Sequence, residues 1–344
     1  MSNEVKDRQE ALTDAILVRA GVRKLNAPGL HPEAAGIIHR NENLLKGLAL
    51  SFGLRDGRGL SAPGAVLGAG LSSSDFKTVL SNTLKVPAIH ALTAHAGHRQ
   101  FCKTIEVQDF KSHEFPSVDT DFSLIETDTL HEFPYDISTV ASAGLSAVVR
   151  TFGRNVRISR QTIINDDVAL ITGIFSNAGA SASRREAGLV YELIEQNPTL
   201  GDGMSMFHAD HGNIEVSALD ETSLGSAIAK LRLMQTPAGA DANLPAAFLV
   251  VAPGLELVAR KLVHQCNLDL VIVASAWLPA GRWYLTADPE LSPCVGILHL
   301  RGSNGGLLIG PRQEDIADDG VPIGIRFDTG VVALGRVGII KGGV

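Results

Sequence analysis

Apolar residues spaced three and four apart mark the helices of this chain, and strict alternation marks its strands. Phe76, Val79, Leu80 and Leu84 form one stripe, so "SSSDFKTVLSNTL" predicts a helix that Ser74 or Asp75 can cap and that Pro87 interrupts. The clearest element is "IINDDVALITGIFSNAGASASRREAGLVYELIEQNP". It opens on cap-competent Asn165 or Asp166, carries acids in its first turn, and ends at Asn197 because Pro198 follows. Its middle is small (Gly173, Ala178, Gly179, Ala180, Ala182) and its end is apolar (Leu189, Val190, Leu193, Ile194). Glycine in a helix costs about 1 kcal/mol each, so something must pack close against that face.

"KTIEVQDF" and "NVRIS" alternate and predict strands. In the second half, Leu224 to Met234 reads as a helix. "AAFLVVAP" reads as a buried strand, with Pro253 placed to start a helix over Gly254 to His264. "NLDLVIVASAWLP", "GRWYLTADP" and "VGILHLRG" predict three more strands. "VPIGIRFDTGVVALGRVGIIKGG" predicts two, joined near Asp328 to Gly330. The class is α+β. The first 70 residues look loosely organised: a helix from Glu4 to Arg19, then Pro28, Pro32 and Gly36, then a short apolar helix around Leu44 to Phe52. "GLRDGRGLSAPGAVLGAGL" follows as a linker. The expectation is an arm that needs another surface to lie on.

Charge changes the picture at one place. From Glu114 to Asp136 there are seven acids (Glu114, Asp119, Asp121, Glu126, Asp128, Glu132, Asp136) and no Lys or Arg. From Arg150 to Arg160 there are four arginines (Arg150, Arg154, Arg157, Arg160) and no acid. An acidic limb followed by a basic one suits a long hairpin with complementary arms, or a limb that reaches a neighbouring copy. It also suits a solvated polar loop, where exposed pairs contribute only ~0–1 kcal/mol each. Arg184 and Arg185 on the long helix could bind a phosphate or an acidic neighbour, or simply face solvent.

The overall balance, 37 acids against 30 bases, argues against a protein whose main work is gripping nucleic acid. Cys102, Cys266 and Cys294 are odd in number and form no CxxC pair, which suits buried thiols in a reducing compartment. The amino terminus has no secretory signal pattern, and no apolar run approaches the ~20 residues that span a bilayer.

Candidate chemistry is sparse. His208, Asp210 and His211 in "MSMFHADHGN" have the residue types of a metal site, but no partner motif such as HExxH or a second pair of histidines appears elsewhere. The flanking turn residues favour a tight structural loop. There is no Walker loop, no dinucleotide fingerprint and no GxSxG elbow. The Gly-rich "RGSNGGLLIG" reads as a flexible surface tip. No nucleophile, base and oxyanion donor assemble, so no enzyme, cofactor or metal is expected.

"RISRQTIINDDVALIT", "LVYELIEQNPTLGDGMSMFHADHGN", "FLVVAPGLELVARKLV" and "WYLTADP" together resemble the major capsid proteins of tailed phages, and more narrowly the Mu-like family. The resemblance covers residues from about Ser73 to the end. It implies the Hong Kong 97-type capsid fold, with "FHADHGN" as a shell-building loop. It maps an N-terminal arm and linker to 1–109, an extended β-hairpin loop to 110–157, and a peripheral domain to 158–219 with its spine helix at 166–197. An axial domain would take 220–310, and 311–344 would return to the peripheral sheet. The implied partners are further copies of the chain in hexamers and pentamers, a portal, possibly scaffold, protease or decoration proteins, and packaged double-stranded DNA in weak contact. No membrane is implied. The implied location is the virion, assembled in the host cytoplasm. Some relatives carry a fused protease upstream; only a linker-like arm precedes the capsid region here, so no proteolysis is expected. The closing segment also lacks a tryptophan found in close relatives. Two alternatives are a cellular nanocompartment shell and a metal-dependent hydrolase using His208, Asp210 and His211.

Overall fold

The computed structural model describes residues 3–25, 27–40, 43–56, 71, 73–115, 145–236, 239, 241–312 and 320–343. The chain forms two compact units, each built from three separated stretches of sequence.

The first unit comprises 1–95, 151–184 and 302–328. Helices α1 (Asn3–Arg19), α2 (Pro32–His39), α3 (Leu44–Asp56) and α4 (Ser74–Ala94) pack here with strands β10 (Leu307–Pro311) and most of β4 (Arg150–Ser159) and β11 (Gly320–Ala333). The short helix α5 (Arg160–Ile164) and the first part of the long helix α6 (Val168–Gln196) complete it. One apolar core joins Leu12, Ile16, Leu48, Phe52, Phe76, Leu80, Phe175, Ile323 and Phe327. This differs from the expected loose arm. Residues 3–56 form three helices whose apolar faces are buried in their own chain. Each face is short, and only their convergence on α4 and the sheet makes a core. Most of the expected linker, residues 57–70, lies outside the described residues.

Pro87 does not interrupt α4, which runs on to Ala94. Proline's fixed φ is helical, so the loss is one hydrogen bond, to the Thr83 carbonyl, and a tight fit to the preceding turn. Burial of Pro87 and Ala88 on the core side of the helix offsets it. Strand β11 pairs antiparallel with β10, Leu307 opposite Phe327, and also pairs with β4. The last four residues of the expected Gly-rich tip therefore belong to β10, with Leu307 fully buried.

The second unit comprises 96–150, 185–301 and 329–344. A five-stranded sheet has the order β5 (Ile214–Glu215), β12 (Ile339–Gly342), β8 (Trp283–Ala287), β6 (Ala246–Val251), β7 (Val271–Ala274). Helices α7 (Glu221–Leu233) and α8 (Glu256–Gln265) pack on it around Trp283, Leu249 and Leu285. Strand β1 (Lys103–Val107) pairs parallel with β9 (Val295–Leu300), which pairs antiparallel with residues 329–333 of β11. Strands β2 (His113–Phe115) and β3 (Leu145–Ala147) form a ladder that leads into residues 116–144, outside the described set.

The closing strands depart from expectation. Asp328 to Gly330 is no turn; β11 is a single 14-residue strand, and the break comes at 334–338. Asp328 and Thr329 are buried and take side-chain partners, so the turn propensity of "DTG" is overridden. The acids at the head of α6 likewise precede it, and Asp166 does not cap it. Asp166 sits at φ +58° and accepts from the Leu45 amide (2.6 Å) and from Arg19 (2.8 Å), so it caps α3. These two distant donors fix a role that local pattern left between Asn165 and Asp166.

Candidate subunit-interface surfaces

The acidic limb is represented in the structure by Glu114, exposed on β2 opposite Ser146. Asp119, Asp121, Glu126, Asp128, Glu132 and Asp136 lie outside the described residues. In the basic limb, Arg150, Arg154 and Arg157 are exposed along β4. Arg160 begins α5, half-buried, and its Nε has no hydrogen-bond partner among the described residues. Arg184 and Arg185 are exposed on α6.

Strand pairing adds two arginines that sequence reasoning missed. Arg154 shares a cleft of ≈ 620 Å³ with Arg312, just past β10, and Arg326 on β11. Glycines make this cleft. Gly310 of β10 stands directly opposite Gly324 of β11. A Cβ on Gly153 of β4 would lie 3.0 Å from the Ile325 carbonyl oxygen. The other three arginines of the basic limb do not line the cleft. Arg312 and Arg326 sit about 160 residues from the limb in sequence, and only the β4–β11–β10 order assembles them.

In the second unit, α6 carries a buried ionic cluster with no sequence signature. Glu186 is fully buried. Its Oε1 accepts from Arg99 Nε (2.5 Å) and lies 2.8 Å from His98 Nε2. Its Oε2 accepts from Arg99 Nη2 (2.9 Å) and Thr329 Oγ1 (3.3 Å), and lies 2.7 Å from His299 Nε2. Burial pushes the Glu186 carboxyl up. The hydrogen bonds from His299, His98 and Arg99, with the Arg99 charge, outweigh it and hold the group well below the usual carboxylate range. A carboxylate so enclosed has no room for substrate. It fastens the second half of α6 to β9, to β11 and to the turn before β1.

A second ionic group surrounds Glu195, further along α6. Tyr284 donates its hydroxyl to Oε1 at 2.6 Å, Arg282 lies 3.4 Å away, and Lys341 lies 3.8 Å away over the Phe207 ring. Burial and the Glu195 carboxylate push the Tyr284 hydroxyl far up. Nearby, Trp277 is half-exposed and stacks on Tyr191, with ring planes 7° apart. Its indole edge rests on Gly188, where a Cβ would meet Nε1 at 3.3 Å.

The loop at His208 closes on its own hydrogen bonds, with His211 and Asn213 buried and Asp210 exposed. His208 Nδ1 accepts from the Asp210 amide, capping a 3₁₀ turn that Gly212 ends at φ +63°. His211 Nε2 contacts Asp202 at 3.0 Å, and its Nδ1 faces the Met206 carbonyl at 3.4 Å. Asn213 and Asn197 bond the backbone of Met206, Phe207 and His208. Among the described residues, no group of three His, Cys, Asp or Glu could hold a metal ion. No helix among them is long and apolar enough to cross a membrane.

A family described as "Phage capsid protein" matches residues 143–342, more than half of the chain. Among curated proteins none matches. The virus-like particle protein of Pyrococcus furiosus is similar at 10% identity over 76% of this chain and 98% of its own, with TM-score 0.49. An encapsulin from Synechococcus elongatus is similar at 10% identity over 71% and 85%, with TM-score 0.45. The capsid protein of cyanophage P-SCSP1u is similar at 13% identity over 71% and 86%, also at 0.45.

Proposed function

The chain belongs to the phage capsid protein family, and from that premise we propose that it is the major head protein of a tailed phage, in the Hong Kong 97-type fold. A capsid protein is structural, a component of the virion coat, and turns over no substrate. Many copies arranged as hexamers and pentamers would close an icosahedral shell around double-stranded DNA. Each contact can be modest, because a lattice multiplies it. The proposed layout keeps the long helix as a spine, with 220–310 near the capsomer centre and 110–157 reaching a neighbour. Portal, scaffold, protease and decoration proteins are the further partners this role calls for, and assembly would occur in the host cytoplasm. Membership of the Mu-like branch is part of the same reading.

The observation that carries this reading is the extent of the family match, which takes in β4, α6 and nearly everything after them. The sparse chemistry agrees with it: the self-bonded His208 loop and the enclosed Glu186 support a structural role, not turnover. Electron microscopy of the overexpressed protein is the test. Round shells with five- and six-fold capsomers are expected. A monodisperse monomer at concentrations where coats assemble would overturn the proposal. The contents separate phage from nanocompartment: nucleic acid in the first case, a protein cargo in the second.

A further inference from the structure

Helix α6 carries three glycines, and two of them have a neighbour where a side chain would stand. The Ala88 carbonyl fills that place at Gly179, and the Trp277 indole borders it at Gly188. A Cβ on Gly173 would meet nothing within 4 Å. Around Gly173 the first-unit part of α6 is bare. Leu170 is 57% exposed and Ile174 37%. Asp167, just ahead of the helix, is exposed too, as are Asn177, Ser181 and Arg184. These six positions step three, four, three, four, three along the chain. That is the spacing of a coiled-coil seam, here on the side of the helix that the described residues leave uncovered. The opposite side, with Val168, Ile171 and Phe175, is already in the core.

We propose that this seam pairs with the same seam of a second copy, antiparallel, about a two-fold axis level with the Phe175–Ser176 peptide. Charge complementarity picks both the occupant and the direction. With the axis there, Asp167 meets the second copy's Arg184, Leu170 meets its Ser181, and Ile174 meets its Asn177. Symmetry makes each pair twice. A parallel pair would instead set acid on acid and arginine on arginine. Neither Asp167 nor Arg184 takes a side-chain partner among the described residues. The Ile174–Asn177 layer puts one polar residue beside the axis, a device that fixes register in coiled coils. The seam from 167 to 184 is about 26 Å long, and the missing side chain of Gly173 lets the two backbones come close. One such contact is modest, and a closed array multiplies it. The inference rests on the coat reading and deepens it by naming one contact and its symmetry.

Charge reversal tests the pairing. Asp167→Arg alone sets arginine against arginine, and Arg184→Asp alone sets acid against acid, so each should lose most of its particles. One chain with both changes should recover them. That rescue has no source within a chain, because the two positions stand about 26 Å apart on one helix. Circular dichroism and melting check that every chain folds. Should a reversal misfold, Asp167→Asn and Arg184→Gln must still shift the salt dependence of assembly. Cross-linking reads the register. The partly exposed Cys266 is first replaced by serine. Unassembled chains with Ile174→Cys and chains with Asn177→Cys, mixed and oxidised with diamide, should then give a disulfide-linked dimer more readily than either alone. Normal assembly of both single reversals overturns the proposal, as does a folded double variant that makes no particles, or a mixture that yields no extra dimer. Normal shells of Arg184→Asp that no longer retain nucleic acid assign Arg184 to phosphate and also overturn it. If the unaltered chain makes no particles, the coat reading falls by itself, and cross-linking of the dissolved chains still decides the seam.

Discussion

The carbonyl oxygen of Ala88 occupies the place where a side chain on Gly179 would begin: a Cβ there would lie 1.9 Å from it. Helices α4 and α6 therefore touch backbone to backbone, at the residue after the proline in α4. Gly179→Ala must push the helices apart. Overpacking of this kind costs ~1–3 kcal/mol, and a backbone obstacle puts it at the upper end despite the gain in helix propensity. Gly173 is the control, because it is exposed on the same helix and a Cβ there would have nothing within 4 Å. Gly173→Ala should raise stability by up to ~1 kcal/mol. Urea unfolding of both variants checks the pair.

Asp166 holds the start of α3 and the end of α1 through one carboxylate. Asp166→Ala removes a helix cap and places alanine at positive φ, for a loss of ~1–2 kcal/mol. Asp166→Asn keeps the cap acceptor and tolerates the backbone, so it should lose less than half as much. Thermal melts of the two variants against the parent give the ratio.

Glu186→Gln leaves Arg99 beside a neutral amide in a buried site. Breaking a buried pair costs ~3–5 kcal/mol, and the partial exposure of Arg99, 21% of its side chain, places the loss near the lower figure. The pH dependence has a definite sign. The folded pKa is depressed below the ordinary value of 4.5, so the stabilisation is complete above that value and drains as pH falls toward the folded pKa. Chemical denaturation between neutral pH and pH ~3 should show the parent losing stability where the variant stays flatter.

Of the three cysteines, Cys102 and Cys294 are buried and Cys266 is partly exposed. Burial, then the Glu186 and Cys294 charges, raises the Cys102 thiol well above its ordinary range. Alkylation of the native protein at neutral pH should modify Cys266 first, and the other two only on unfolding. Mass spectrometry of a time course reads the order.

The His208 loop should hold no metal. Elemental analysis of the purified protein should find no stoichiometric zinc or iron, and a chelator should leave the melting temperature unmoved. His211→Ala should instead destabilise, by ~1–3 kcal/mol, since it strips a contact from Asp202 and opens a buried niche.

Local pattern is enough for much of this molecule. The spacing of Phe76, Leu80 and Leu84 predicts α4, the run ahead of Pro198 predicts α6 to within two residues at each end, alternation finds β1 and the second half of β4, and the apolar run of "GRWYLTADP" finds β8. The small middle of α6 announces a close neighbour, and the turn residues around His208 announce a loop. These are properties of a few adjacent residues, and sequence holds them directly. Tertiary contact decided the rest. Three short apolar faces in residues 3–56 became a core only by meeting α4 and the sheet. Pro87 stayed helical, and Asp328 stayed in a strand, because burial outweighed local preference. Asp166 capped a helix 121 residues away in the chain. Glu186, His98, Arg99 and His299, like the Arg312 and Arg326 that join Arg154, are ordinary residues in sequence. They become a lock and a cleft because strand order brings distant charges together, and no short-range pattern encodes that order.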